Sequence, residues 1–298
     1  MSVRERLGYL RRVDTNEAMA ALQSVDIASA RVTPILGGWA YWTFDVDAQH
    51  IARFPRNDEI AAAAHRELAL LPALAEDVSF MVPDPSHKGI WVDRPFVVYP
   101  RIPGRALTRS DRSPELLGRL KDMLAELHQF SPERASQLLG TGPPRDAWRK
   151  HFEELWPVIE TLALPTMDDP LADRVRREFG WFLESPFDVP CCLIHNDLGP
   201  EHILIDPTTG LPTGLIDFES AWVGDPAIDF VPLRAHLSPR DFDAVLGGRD
   251  LGDGLAERMR FYRWMGSVHA IIHGVSEDRK DELAAGVEEL RRRLDIPA

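Results

Sequence analysis

The sequence has few cysteines, no long apolar run and no excess of positive charge. Its two cysteines, Cys191 and Cys192, are adjacent in an apolar segment, which excludes a disulfide scaffold and indicates a reducing compartment. No uninterrupted apolar run reaches the ~18 residues that a membrane-spanning helix needs. The first residues also lack the apolar core of a signal peptide. We therefore expect a soluble, cytoplasmic protein without a membrane partner.

The balance of charge limits the kinds of partner. The net charge is -13 at pH 7, whereas a nucleic-acid backbone demands a basic stripe on its partner. We therefore expect no nucleic-acid partner. An acidic protein suits a cationic small molecule, although acidity that serves solubility is the more ordinary explanation. At 298 residues the chain is long enough for two lobes, and we assume a monomer.

The apolar pattern divides the chain into a β-rich first third and a mainly helical remainder. Pro and Gly residues at 100–104 mark the change, so we predict an N-terminal lobe at 1–101 and a C-terminal lobe at 102–298. An island of β character at 191–218 interrupts the helices. The predicted fold class is α+β, with a small antiparallel sheet followed by a larger helical lobe. The predicted strands are 31–36, 41–45, 50–54 and 91–100, and the predicted helices are 16–29, 59–75, 113–130, 148–162, 171–183, 239–246, 257–272 and 278–294.

The β island and the residues after it carry the most informative motifs. The segment HNDLGPEH (195–202) leads into a predicted hairpin that returns LIDFE (215–219), and GDPAID (224–229) follows. Apolar residues anchor both strands of the hairpin, so we expect the two acids and the imidazole of these segments to converge. Phosphoryl transfer needs a carboxylate that takes the acceptor proton, together with ligands for metal ions that neutralise the phosphates. The motifs therefore indicate a phosphotransferase.

These three segments resemble the aminoglycoside phosphotransferase family of kinase-like enzymes, whose pattern is His-x-Asp-Leu-x-Pro-x-(Asn/His), then Ile-Asp-(Phe/Trp), then Gly-Asp-Pro-x-x-Asp. The resemblance implies that Asp197 is the catalytic base and that Asp229 braces its loop. It also implies that His202 and Asp217 are Mg²⁺ ligands. Histidine at the second ligand position resembles the branches that act on aminoglycoside 2''-hydroxyls and macrolide 2'-hydroxyls. His195 is predicted to support the loop through hydrogen bonds.

The same resemblance implies where a nucleotide binds. The chain lacks the Gly-x-x-x-x-Gly-Lys-Ser/Thr loop of P-loop proteins. Instead, Gly38 lies between the first two predicted strands, where the family has its nucleotide-positioning turn. Arg53 stands at the position of the phosphate-binding lysine; it keeps the charge of lysine but adds a planar fork. Glu67, on the predicted helix 59–75, matches the acid that pairs with that base.

A hinge is implied at residues 96–104. Backbone groups of Arg101 and Ile102 would hydrogen-bond the purine edge. Tyr99 stands where the resemblance puts the residue that decides access to the inner purine pocket, and a bulky side chain there favours GTP over ATP. The implied donor is GTP or ATP, and the implied position of the nucleotide is the cleft between the two lobes.

The acceptor is a small molecule whose identity stays open. A cationic aminoglycoside would want carboxylates, and Glu153, Glu154 and Glu219 are candidates. Trp264 is an aromatic candidate that could equally belong to the core. Residues 233–236 lack the acids that aminoglycoside 2''-kinases carry after the third motif, which favours a more apolar acceptor such as a macrolide.

Four functions remain in order of preference. The first is phosphorylation of an aminoglycoside antibiotic, as in a resistance kinase, and the second is phosphorylation of a macrolide. The third is a metabolite kinase of the same fold, acting on an amino alcohol or a sugar. The fourth is an inactive nucleotide-binding pseudokinase, which the intact Asp197 and Asp217 disfavour.

Overall fold

The computed structural model describes residues 12–28, 31–36, 40–91, 93–142, 144–185 and 188–296 of the chain. Within these ranges, no helix is both long enough and apolar enough to cross a bilayer. The strands are β1 (Val32–Ile35), β2 (Tyr41–Val46), β3 (His50–Pro55), β4 (His87–Trp91), β5 (Arg94–Pro100), β6 (Arg105–Ala106), β7 (Cys192–Ile194), β8 (Ile203–Ile205), β9 (Pro212–Leu215) and β10 (Trp222–Gly224). The α-helices are α1 (Thr15–Gln23), α2 (Asp58–Asp77), α3 (Pro114–Gln129), α4 (Pro132–Leu139), α5 (Pro144–Val158), α6 (Asp169–Glu184), α7 (Ala227–His236), α8 (Pro239–Leu246), α9 (Leu255–Ser276) and α10 (Lys280–Arg293).

The chain forms two compact units that interleave along the sequence. The first contains residues up to 126, 138–140 and 200–221; the second contains 127–137, 141–199 and the residues from 222 onward. The predicted lobes, by contrast, are continuous segments. The predicted lobe boundary near residue 101 therefore stays a prediction.

The first unit is built on an antiparallel sheet with strand order β1-β2-β3-β5-β4. Its apolar core includes Phe54 and Phe96, whose stacked ring centroids are 4.8 Å apart. Strand β3 pairs with β2 on one side and with β5 on the other, and Arg53 lies opposite Thr43 and Val97 in the two registers. The backbone of Arg53 is therefore fixed from both sides by the ladders of a central strand.

A second, three-stranded sheet of the first unit has the order β6-β8-β9. The hairpin β8–β9 pairs Ile203 with Leu215. Gly214 lies against the backbone of Met81, whose carbonyl oxygen a Cβ atom at position 214 would meet at 2.4 Å. Met81 in turn donates its N–H to the Thr213 carbonyl and accepts the Leu215 N–H. The close approach that only glycine permits thus anchors the end of the hairpin that leads to residue 217.

The second unit is mainly helical and has one short antiparallel ladder, β7 with β10. Its apolar core gathers side chains from α5, α6 and α9. Phe152 packs edge-on against Phe182 and Phe261, and the latter two rings stack in parallel with centroids 3.6 Å apart. Such aromatic packing stabilises the unit beyond simple burial of area.

The α+β fold class is confirmed, and most predicted elements occur within a few residues of their expected positions. Helix α8 has the predicted bounds, 239–246. Ser113 caps α3 as expected, since its hydroxyl accepts the Leu116 N–H at 3.1 Å. The prediction missed the strands β4, β6 and β10 and the helices α4 and α7. Strand β4 reads HKGIW and leaves alternate residues exposed, so it has too few apolar residues to be recognised alone.

Candidate active site

Arg53 organises a cluster of carboxylates in the first unit. One of its terminal nitrogens, Nη2, donates to Asp217 Oδ1 at 2.8 Å and to Glu219 Oε2 at 2.9 Å. The other, Nη1, donates to Glu67 Oε1 at 3.2 Å. The guanidinium also stacks over the ring of Tyr41, 3.9 Å from its centroid. A planar fork suits this arrangement, because one side chain addresses several carboxylates and an aromatic face at once.

Burial and the neighbouring charges shift the pKa values of Arg53 and Glu67 in opposite directions. Burial alone would lower the pKa of Arg53, but Glu67 and Asp217 raise it above its ordinary value, so the guanidinium stays charged. Burial raises the pKa of Glu67, and the Arg53 guanidinium opposes that rise. Three carboxylates face one guanidinium, so with all of them ionised the cluster carries an excess of negative charge. The predicted pairing of Glu67 with Arg53 is observed.

The hairpin β8–β9 brings His202 and Asp217 together, as expected from the apolar anchors on its strands. The Ile216 N–H donates to the His202 carbonyl at 3.0 Å, and His202 Nε2 lies 3.6 Å from Asp217 Oδ2. Asp217 has a left-handed backbone, with φ 72° and ψ 60°, and about a third of its side chain is exposed. This conformation is costly for a residue other than glycine and is typical of functional sites. It leaves the carboxylate half-exposed between an imidazole and a guanidinium.

Glu219, which the sequence suggested as an acceptor contact, lies instead against Arg53. A short 3₁₀ turn, Phe218–Ser220, follows Asp217 and carries Glu219 back toward the same guanidinium nitrogen. The two carboxylates therefore share one donor. The sequence does contain a signal for this contact: Glu219 follows Asp217 by only two positions, which places both acids on one tight turn.

The other predicted nucleotide residues have different outcomes. Gly38 lies outside the described residues. Tyr99 is a buried residue of β5, and burial together with Glu67 raises its pKa well above the ordinary value. The Arg101 N–H donates to the Gln49 carbonyl at 2.7 Å, and the contact of Arg101 backbone groups with a purine stays a prediction. Ile102 follows it outside any strand and is partly exposed.

Replacing Arg53 by lysine is expected to destabilise the first unit and to weaken nucleotide binding. A single ammonium cannot reproduce the fork or its stacking on Tyr41. We expect a loss of about 1–3 kcal/mol in the free energy of unfolding, because hydrogen bonds to charged groups are weakened. Urea unfolding and the KM for nucleotide check this. The matched control is Arg94→Lys, whose partner Asp58 is 78% exposed and whose pair should contribute only about 0–1 kcal/mol. If Arg53→Lys and Arg94→Lys changed the free energy of unfolding and the KM for nucleotide equally, the assigned role of Arg53 would be contradicted.

The second unit presents Asp197 on a braced loop. The carboxylate of Asp229, fully buried in the first turn of α7, accepts two consecutive backbone N–H groups. His195 donates to Oδ2 at 2.9 Å and Asn196 donates to Oδ1 at 2.8 Å. Asn196 has a left-handed backbone (φ 64°), while the side chain of the next residue, Asp197, is exposed. The predicted bracing by Asp229 is thus seen atom by atom. His195 contributes its backbone N–H to this contact, and its side chain is buried.

His128 completes the brace and was missed by the sequence analysis. It lies near the end of α3, and its Nε2 is 3.0 Å from Asp229 Oδ2. Arg249 approaches the other ring nitrogen of His128 at 3.5 Å and stacks over Phe230. The Asp229 carboxylate is therefore held on one side by a histidine and in turn holds the loop on the other.

Asp225, the acid of the third motif, anchors a second buried network. Arg258 Nε donates to Asp225 Oδ2 at 2.6 Å, and the Tyr262 hydroxyl donates to the same oxygen at 2.8 Å. The Ala227 N–H donates to the other oxygen at 2.9 Å. Arg258 also reaches the carbonyls of Leu251 and Asp253. Since Asp225 and Arg258 are both inaccessible to solvent, this ion pair connects the start of α7 to α9 through the interior.

Comparison with known proteins identifies the family. A family model described as "Phosphotransferase enzyme family" matches residues 31–263, which include Arg53, Asp197, Asp217 and Asp229. The chain belongs to this family. As a member of the phosphotransferase enzyme family, it is a phosphotransferase with an alcohol group as acceptor.

Individual relatives of the family agree with this assignment. Viomycin phosphotransferase of Streptomyces vinaceus is 24% identical over 258 residues, covering 83% of this chain and 88% of the relative. The GDP complex of aminoglycoside 2'-phosphotransferase-IIIa has a TM-score of 0.81 and 25% identity, covering 94% of this chain and 97% of that one. Macrolide 2'-phosphotransferase MphH from Brachybacterium faecium shares the fold, with a TM-score of 0.71, 22% identity, and coverage of 93% and 98%.

The remaining predicted acceptor residues of this phosphotransferase lie on two helices of the second unit, α5 and α9. Glu153 and Glu154 are exposed on α5, and Glu154 pairs with Lys150 at 3.5 Å. Trp264 is 1% exposed and packs in the apolar core of the second unit, with its ring 4.9 Å from that of Phe261. Packing in this core is a sufficient reason for a tryptophan at position 264, without any contact to an acceptor.

Of the predicted metal ligands, Asp217 fits Mg²⁺ in charge and donor type, whereas the imidazole of His202 is a softer donor than the oxygens that Mg²⁺ prefers. No group of three or more metal-ligating side chains is present in the part of the chain that the structure describes. Mg²⁺ needs few protein ligands, however, since it keeps waters and binds substrate phosphates. Asp217 offers a half-exposed carboxylate oxygen, His202 lies beside it, and the surrounding acids exceed the nearby positive charge.

Proposed function

We propose that this phosphotransferase transfers the γ-phosphate of GTP or ATP to a hydroxyl group of an antibiotic, with an aminoglycoside as the preferred acceptor. The observation that carries the proposal is the brace at Asp229. Its buried carboxylate holds the N–H groups of His195 and Asn196, so that the exposed carboxylate of Asp197 follows on a fixed backbone. A positioned, exposed carboxylate is what a general base for an acceptor hydroxyl requires.

Each candidate residue of the two units has a role in the proposed reaction. Asp197 orients the acceptor hydroxyl and accepts its proton. Arg53 contacts the phosphates, and Glu67 holds Arg53 in place. Mg²⁺, held by Asp217 and His202, supplies neutralisation of phosphate charge when bound. Catalysis by positioning and electrostatics alone is typical of phosphoryl transfer.

The acceptor class is supported by the relatives and by charge. Relatives named as viomycin and aminoglycoside phosphotransferases cover most of this chain. The net charge of -13 favours the approach of a cationic acceptor such as an aminoglycoside.

An acceptor panel tests the proposal. Kanamycin, viomycin and erythromycin are each incubated with GTP or ATP and magnesium. We expect acceptor-dependent release of nucleoside diphosphate and a kanamycin product that has gained one phosphoryl group by mass spectrometry. Expression in drug-sensitive bacteria should raise the tolerated kanamycin concentration. Absence of a phosphorylated product with every acceptor would overturn the proposal.

Tyr99 is expected to set the preference between donors. Its ring is buried in β5, and the resemblance places it at the inner edge of the purine, so kcat/KM should be higher with GTP than with ATP. Tyr99→Leu should shift the GTP/ATP ratio toward ATP by about 10-fold, a typical effect of reshaping an apolar pocket. Tyr99→Phe keeps the ring and should keep the ratio. A parent enzyme that prefers ATP would contradict this assignment.

A further inference from the structure

Three aromatic or imidazole side chains cluster on the second unit, outside the groups assigned so far. His151 lies on α5 and Trp222 begins β10; their ring centroids are 6.2 Å apart, with an interplanar angle of 46°. His269 lies on α9 and interacts electrostatically with His151. The two histidines are exposed and Trp222 is half-buried. We call these three residues the ring wall.

The ring wall lies beside the loop that carries the proposed base. Trp222 is the register partner of Ile194, the last residue of β7. Asp197 follows Ile194 by three residues, which span at most about 11 Å of extended chain. Strand partners are ~5 Å apart, so the Cα atoms of Trp222 and Asp197 are within about 16 Å of each other. A multi-ring acceptor can therefore contact the wall while presenting a hydroxyl to Asp197.

The wall is uncharged near neutral pH. Burial of the ring, with a smaller contribution from His151, lowers the pKa of His269 to about 4 although the residue as a whole is exposed. Burial also lowers the pKa of His151, against the opposing influence of Glu154. Such rings do not repel an ammonium group. The indole N–H of Trp222 is buried and has no hydrogen-bond partner among the described residues.

We propose that His151, Trp222 and His269 bind the acceptor by stacking against a sugar ring that carries hydroxyl and ammonium groups. This inference rests on the proposed function and names the part of the site that recognises the acceptor. The ring faces supply apolar contact and attraction to a cation. Recognition therefore uses aromatic surface in addition to the carboxylates expected for a cationic ligand.

Substitution of Trp222 should weaken acceptor binding without changing nucleotide binding or nucleotide hydrolysis. Trp222→Leu should raise the KM for kanamycin by roughly 5–30-fold, the range expected from lost stacking and cation–π attraction. The KM for nucleotide and the acceptor-independent hydrolysis of nucleotide should not change. Trp222→Phe keeps a ring face and should stay within about 3-fold of the parent. The control is Trp181→Leu. It replaces a tryptophan on α6 that is 37% exposed and lies under Arg260.

A second variant tests the proposal independently in case Trp222→Leu misfolds. His269→Lys places an ammonium in the wall on a side chain that reaches solvent. It should raise the kanamycin KM at least as much as Trp222→Leu, because like charges repel. An unchanged kanamycin KM in both variants would overturn the proposal.

Direct binding distinguishes failure of the wall from failure of the proposed function. Kanamycin binding to the parent and to both variants is measured by calorimetry without nucleotide. Weaker binding by the variants supports the wall even if the parent phosphorylates no antibiotic. Equal affinity for parent and variants overturns the wall, even with active enzyme. A parent that binds neither kanamycin, viomycin nor erythromycin overturns it as well.

Discussion

Replacing Asp197 by asparagine is expected to lower kcat by about two to four orders of magnitude, the usual contribution of a general base. The amide cannot accept the acceptor proton, yet it has the size of the carboxylate. The loop should keep its place, because Asp229 holds the backbone of His195 and Asn196 rather than the side chain of Asp197. Steady-state kinetics with kanamycin, together with calorimetric nucleotide binding, measure the two effects separately.

Asp206→Asn is the matched control for this substitution. Asp206 is also an acid of the motif region, but its Oδ1 accepts the Thr208 N–H at 2.6 Å in the turn between β8 and β9. We expect kcat to stay within about 2-fold of the parent, since surface changes seldom cost much. Full activity of Asp197→Asn would remove Asp197 from the reaction and favour a different base.

Arg258→Met is expected to be the most destabilising of the substitutions considered. It leaves the buried carboxylate of Asp225 with the Tyr262 hydroxyl and the Ala227 N–H but without its charged partner. Removing one partner of a buried ion pair costs about 3–5 kcal/mol. The measurement is urea unfolding followed by circular dichroism. A smaller companion effect should be a fall in kcat, because the same carboxylate fixes the start of α7, from which Asp229 braces the loop.

Arg260→Met makes the same chemical change two residues further along α9. Arg260 pairs with Glu178 at 2.9 Å but is 46% exposed, and pairs of this kind contribute about 0–1 kcal/mol. Arginine and methionine have similar helix propensities, so the helix itself should not distinguish the variants. Equal losses for the two substitutions would show that the Asp225 pair is not a special stabilising contact.

The local motifs predicted the parts of the site that lie close together in sequence. His202 and Asp217 are joined by one short hairpin, and the apolar residues that anchor both of its strands are enough to place them side by side. The identity of Asp229 as a brace came from the resemblance, because nothing local requires an acid of α7 to bind the amides of residues 195 and 196.

The partners that the sequence could not predict are those distant along the chain. His128 is 101 positions from Asp229, and Arg258 is 33 positions from Asp225. In the sequence, His128 and Arg258 are both indistinguishable from ordinary polar or charged residues of an amphipathic helix. Only tertiary packing reveals that these side chains turn inward and are stabilised by a buried carboxylate. The position of Glu219 was missed for a different reason, since the turn after Asp217 redirects its side chain.

The guanidinium of Arg53 has a consequence for how the sequence can vary. Because one group satisfies Glu67, Asp217 and Glu219 together, positions 53 and 219 should not be substituted independently. A lysine at the first position carries its three donors on a single nitrogen, which cannot spread over three carboxylates as the fork does, so a homologue with that lysine should have lost the acid at the second. The double change Arg53→Lys with Glu219→Gln would then be tolerated better than the lysine alone, and this covariation should be visible among related genes.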